Sequence, residues 1–217
     1  MIRAAIALET TWLPACENRG EGIFLEIKPE ALVHWLMKPA VVQRARLLQD
    51  GYRIWAKEDS AKLERFPTVV YYMLHSFSHL LLNAIALECG YPASSLRERI
   101  YVSLLPNDLR GGILIYTGSS DAEGTLGGLV QTGREIARHV RVALETGKLC
   151  TNDPVCAYHT PHQHDFQPLM GAACHGCLLI SETSCEQRNV YLDRALVVGT
   201  VDSHGEEFFQ GYEVPAS

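Results

Sequence analysis

Five of the seven cysteines crowd into positions 150 to 185: Cys150, Cys156, Cys174, Cys177 and Cys185. They read as C-x5-C, a long gap, C-x2-C in "CHGC", and then C-x7-C. A C-x2-C pair puts two thiolates on one side of a tight turn, and a second pair from a distant loop closes a tetrahedral cage. Zinc accepts all-sulfur ligation, and four-sulfur sites are structural rather than catalytic. Free cysteines are often simply buried, but these lie among Gly, Pro, Asn and Asp in turn-rich sequence, which is poor material for a core. "CHGC" also has the form of a redox dithiol, without the preceding strand and following helix that such a dithiol uses. The expected ligands are Cys150, Cys156, Cys174 and Cys177, with Cys185 as the substitute for either member of the first pair. His159, His162, His164 and His175 lie near enough in sequence to ligate, although "HTPHQH" reads as an exposed loop.

A second constellation is His75 and His79 in "LHSFSHLLL". Residues four apart share a helix face, a spacing that suits metal ligation or a catalytic pair. No acidic neighbour completes a metalloprotease-like set, and buried histidines commonly just find hydrogen bonds. The loop "GSSDAEGTLGGLV" leads from a strand into a helix, where phosphate can bind. It lacks the Lys-Ser/Thr of a P-loop, and Asp121 and Glu123 oppose an anion, so a tight turn is expected. No ATPase motif, nucleophile elbow or nuclease carboxylate cluster is present. The expectation is a non-catalytic protein. The alternative is a small hydrolase or nuclease using His75, His79 and Asp121 or Glu123.

Three segments have to position these groups. Residues 1–66 carry a strand in "GEGIFLEI", a helix opened by Pro29, and a second helix with Val42, Ala45, Leu48, Ile54 and Trp55 at helical spacing, weakened by Gly51. Residues 67–147 form the core: a helix apolar nearly all round that ends on Gly90, strands "RERIYVSLL" and "GGILIYTGS", then one amphipathic helix in "GLVQTGREIARHVRVALETG". Residues 148–217 are the cysteine-rich region, with a possible helix cap at Ser181 or Thr183, a final strand "ALVVGTV", and Glu182, Arg188, Asn189 and Asp193 bracing the metal loop. The fold class is therefore α/β or α+β: a buried central helix against a small sheet, with a C-terminal cysteine-rich, zinc-stapled loop region.

The chain has 217 residues, 47% of them hydrophobic, enough for a packed core. Its formal net charge of −6 argues against an autonomous basic-patch binder of nucleic acid. Arg19, Arg97 and Arg99 are local basic spots that read as solvated faces. No unbroken apolar run approaches the ~18 residues of a membrane helix, and the N-terminus lacks a signal-peptide pattern. No membrane association is expected, and the location is read as cytoplasmic, where clustered cysteines bind metal more often than they form disulfides.

Taken in order, "GEGIF", "LHSFSHLLL", "SLRERIY", "GILIYT", "GTLGGLV", "NDPVC" and "AACHGCLLISETSCEQRNVYLDR" span residues 20 to 198. This set resembles the MrfA zinc-binding domain family and, within it, the DrmB-type components of the DISARM anti-phage system. The resemblance implies a structural Zn2+ on Cys150, Cys156, Cys174 and Cys177. It demotes Cys185, which has no counterpart in some related helicases. It further implies a place at the C-terminus of a DNA helicase or beside a helicase subunit, with DNA engaged through that complex. DrmB-type proteins are usually longer, so the chain looks like a C-terminal portion or a minimal member. The gap from Cys156 to Cys174 is also wider than in the compact helicase cluster.

Overall fold

The computed structural model describes residues 12, 17, 20–57, 59–92, 94–105, 108–117, 128–161 and 167–212. In chain order the elements are β1 (Gly22–Ile27), α1 (Pro29–Leu36), α2 (Pro39–Ala56), α3 (Ser60–Leu63), α4 (Thr68–Cys89), β2 (Leu96–Leu105), β3 (Asp108–Thr117), α5 (Gly128–Arg134), α6 (Ile136–Gly147) and a 3-10 turn (Arg194–Leu196). The sheet is antiparallel in the order β1-β3-β2. A three-stranded sheet covered on one face by helices makes the chain α+β. Asp121, Glu123, His162 and His164 lie outside the described residues.

Register follows from alternation, because side chains a residue apart point to opposite faces. Ile23 pairs with Ile115 and Ile100 with Ile113, so the inner face is lined by buried β-branched residues. In β2 the inward positions are Leu96, Glu98 and Ile100, while Arg97, Arg99 and Tyr101 point out. A carboxylate thus occupies a core position between two aliphatics. Gly111, on the middle strand, lets α1 and α4 approach closely: a Cβ there would stand 3.2 Å from Leu32 Cδ1 and 3.0 Å from Leu74 Cδ1.

The central helix is α4. It buries Val70, Tyr72, Met73, Leu74, Leu81 and Ile85 completely and ends where Gly90 turns left-handed at φ 71°, a backbone that costs glycine little. By length and mean hydropathy it could cross a membrane, yet 83% of that window is buried inside the protein. Such burial is the pattern of a core helix. Its polar residues His75, Ser76, Ser78 and His79 are all at 0% exposure, so each needs a partner.

Three local expectations change. The core face of α2 is Val41, Arg44, Leu48, Gly51, Tyr52 and Ala56, while Val42, Ile54 and Trp55 are 39%, 42% and 39% exposed. The helix is rotated by about one residue because Arg44 makes a buried pair with Asp193, and because a side chain at position 51 would collide with Pro161 and Pro168. The helix expected after residue 127 is two, broken at Glu135 (φ −106°, ψ 21°). One half is tied to the segment before β1, where the Glu21 carboxylate accepts from Leu129 N (3.0 Å); the other packs along α4 through Gly147 against Leu80. Finally, "ALVVGTV" is not a strand. Asp193 accepts from Ala195 N and starts the 3-10 turn, and among the described residues the buried run Ala195–Val198 meets no strand to pair with. Burial alone produced that apolar run. Ser181 and Thr183 likewise cap no helix, and their hydroxyls bond each other at 2.9 Å.

Candidate metal centres

Four cysteines converge as the spacing predicts. Cys150 and Cys156 sit in the turns after α6, and Cys174 and Cys177 sit in a turn closed by Cys177 N and Leu178 N donating to Cys174 O (3.1 and 3.0 Å). The sulfur separations are 3.4 Å for Cys150–Cys174, 3.8 Å for Cys156–Cys177 and 3.7 Å for Cys174–Cys177. A disulfide needs about 2.05 Å, so these are not bonded pairs. Four sulfurs about 2.3 Å from one zinc lie about 3.8 Å from one another, the edge of the tetrahedron. Three of the six sulfur pairs have that spacing, and all four sulfurs lie within 4.8 Å of one another.

Donors surround the sulfurs as they surround thiolates. Cys150 Sγ accepts from Asn152 N (3.4 Å), and Cys174 Sγ accepts from Gly176 N (3.3 Å) and Asn152 Nδ2 (3.2 Å). A Cβ at Gly176 would stand 2.6 Å from Thr151 Oγ1, so the tight turn calls for glycine. With protons alone the sulfurs share charge unevenly. The Cys156 thiol, donating to Cys177, holds Cys177 down to about 6, with Arg194 assisting, while that hydrogen bond and burial push Cys156 upward and burial pushes Cys150 up to about 11. Four thiolates together need a cation, which a divalent ion supplies.

Two buried ion pairs fix the frame. Arg194, at 0% exposure, grips Asp153 through Nη2 at 2.8 and 3.0 Å and Gly147 O through Nη1 at 3.1 Å. Arg44 holds Asp193 at 2.7 and 3.0 Å, and Asp193 Oδ1 also accepts from Ala172 N and Ala195 N at 3.0 and 3.2 Å. Two of the residues expected to brace the loop therefore do so: Asp193 here, and Asn189, whose side chain bonds Ile180 N and O at 3.0 and 2.8 Å. His159 bonds Gly171 O at 2.8 Å, and an exposed His175 is next to Cys174 without belonging to the cluster.

Cys185 is elsewhere. The segment after Cys177 carries it to the sheet, where Glu98 N donates to Ser184 O (3.1 Å). There it joins His75, His79 and Glu98, all four buried, with their ligand atoms within 4.8 Å of one another. His75 Nε2 lies 2.8 Å from Glu98 Oε1 and 3.1 Å from Cys185 Sγ, and His79 Nε2 lies 3.2 Å from Glu98 Oε1. Burial disfavours charge on His75, but Glu98 lifts it to about 10; against the same burial, His75 and His79 bring Cys185 down to about 7. Glu98 is the residue the sequence reading missed. The alternation Leu96-x-Glu98-x-Ile100 was its signal, and it is the acid absent from the neighbourhood of "LHSFSHLLL".

Comparison with known proteins agrees with the sulfur cluster. Residues 77–178 match the MrfA Zn-binding domain, a span that contains all four clustered cysteines. The chain is 39% identical over 203 residues, 92% of its length, to the DISARM protein DrmB of Bacillus paralicheniformis. It spans 35% of that relative, about a third of its length. A zinc ion, which the description of that domain names, fits this group of four sulfurs, and residues 77–178 are similar to the MrfA Zn-binding domain.

Proposed function

We propose that the chain is a non-catalytic, zinc-stapled module of an anti-phage defence complex, working in the cytoplasm beside a DNA helicase subunit and helping the complex engage or load DNA. Cys150, Cys156, Cys174 and Cys177 are the ligands, and the zinc holds residues 148–217 in shape. The observation that carries this reading is the convergence of the four sulfurs within 4.8 Å of one another, three pairs of them at 3.4–3.8 Å, inside a region similar to a DISARM protein. Four protein sulfurs leave no open coordination position for a substrate or water. The buried state of His75 and His79 favours a holding role over the hydrolase alternative, because neither ring reaches solvent.

Support for DNA engagement comes from the outer face of the sheet. Phe24 and Tyr101 are 55% and 48% exposed and pack edge to face at 5.9 Å. Arg97, Arg99 and Arg110 share that face, Arg99 beside Glu186 and Arg110 beside Asp108, and exposed aromatics near arginines suit stacking on unpaired bases. Given the overall negative charge, the helicase supplies most phosphate contacts.

Co-expression of the chain with a DNA helicase of a DISARM system tests the proposal. The wild type co-purifies with the helicase and raises its retention of single-stranded DNA; Cys174→Ser weakens both, and Tyr101→Ala weakens the DNA step alone. A wild-type chain that binds neither partner nor DNA and gives no phage protection overturns it. So does turnover of a nucleic acid by the chain that disappears with His79→Ala.

A further inference from the structure

The His75, His79, Glu98, Cys185 quartet has no role in the proposal above, and its hydrogen bonds pose a problem of their own. His75 Nδ1 faces Tyr191 O at 3.2 Å and His79 Nδ1 faces Leu178 O at 2.8 Å. A carbonyl only accepts, so each Nδ1 carries a proton, and each ring turns Nε2 inward. Both Nε2 atoms face Glu98 Oε1, 2.8 and 3.2 Å away, with Cys185 Sγ 3.1 Å from the first. The Glu98 carboxylate and the Cys185 sulfur draw positive charge, which protons on the two Nε2 atoms supply in one state and a cation bound in their place supplies in the other. The outer atoms are all engaged: Glu98 Oε2 takes the Ser78 hydroxyl, and Cys185 Sγ accepts from Gln187 N at 3.3 Å and Asn189 N at 3.2 Å. This outer set orients each ligand as partners of metal ligands do, the carbonyls fixing the imidazole tautomer.

We propose that this quartet is a second, closed metal site, holding one divalent ion of zinc's class through His75 Nε2, His79 Nε2, Glu98 Oε1 and Cys185 Sγ. Two neutral imidazoles, a carboxylate and a thiolate neutralise a divalent cation. With bonds of about 2.0–2.3 Å the edges of such a tetrahedron are roughly 3.3–3.7 Å; three of the pairs, at 2.8, 3.1 and 3.2 Å, are shorter than that and the rest lie within 4.8 Å. Burial of every ligand makes the site structural. It joins α4, β2 and the loop after Cys177. The two centres are also mechanically linked, since Leu178 follows Cys177 and its carbonyl fixes the His79 ring. The family match over residues 77–178 includes His79 and Glu98 but stops short of Cys185 and begins after His75, so the second site extends beyond the matched domain on both sides.

Metal counting on the purified full chain tests this, by native mass spectrometry and elemental analysis after exhaustive dialysis against metal-free buffer. The wild type retains two zinc ions per chain. Cys185→Ser or Glu98→Gln leaves one, and Cys174→Ser also leaves one. Because a variant can fail to fold, the wild type is also read by zinc-edge absorption: two sites give nitrogen and oxygen scatterers beside sulfur, whereas the sulfur cluster alone gives only sulfur. One zinc per chain with a purely sulfur shell, unchanged by Cys185→Ser, overturns the second site and leaves the first intact. One zinc lost with Cys185 or Glu98 but kept in Cys174→Ser supports the second site and removes the first.

Discussion

Arg44→Ala removes the cation from the most buried ion pair in the frame, at 6% and 0% exposure for Arg44 and Asp193. Removing one partner of such a pair strands the other charge and costs about 3–5 kcal/mol. Asp193 keeps two backbone donors, Ala172 N and Ala195 N, so the loss falls near the lower end, about 3 kcal/mol. With a urea dependence of about 2 kcal/mol per molar, that moves the unfolding midpoint by roughly 1.5 M. Ala172 lies two residues before Cys174, and Asp193 N donates to Ser76 on α4 at 2.7 Å. The same variant therefore loses zinc faster to a chelator. Arg44→Met with Asp193→Asn removes both charges, keeps an acceptor for the two backbone donors, and recovers most of the stability. Urea unfolding followed by circular dichroism reads all three chains. A loss below about 1 kcal/mol in Arg44→Ala, or a double variant no better than the single, refutes the assignment of Asp193 as the anchor of the loop.

Other sites give smaller effects. Trp35, 2% exposed, donates from Nε1 to Glu206 O at 2.7 Å; Trp35→Phe strands that carbonyl and lowers stability by about 1–3 kcal/mol in the same assay. Gly147→Val forces a Cβ to within 2.7 Å of Leu80 Cδ1, and overpacking where α6 meets α4 costs about 1–3 kcal/mol. Asn189→Ala loses both bonds to Ile180 and puts alanine at φ 60°. It lowers stability by about 2 kcal/mol and, read by the chelator assay, speeds zinc loss; an unchanged midpoint contradicts the bracing role.

What was legible in the sequence is what one segment decides for itself. The apolar run ending at Gly90 specifies α4, and the alternation of Leu96, Ile100, Ile113 and Ile115 specifies a strand pair. The C-x2-C turn likewise announces a ligand pair. What was hidden depends on distant partners. Arg44 looks like a surface residue until Asp193, 149 positions later, turns α2 toward the core. Ala195–Val198 has a strand's composition, but no strand is beside it. Glu98 looks like one charge between two exposed arginines, and only pleat alternation places it inside. Cys185 follows the other cysteines in sequence, but a backbone bond to β2 takes it to the histidines.

The most direct test of the central claim is the position of zinc in crystals of the chain, located by anomalous scattering at the zinc edge. A peak about 2.3 Å from each of Cys150, Cys156, Cys174 and Cys177 Sγ is the predicted result. No peak among those sulfurs, or a disulfide formed between any two of them, contradicts it.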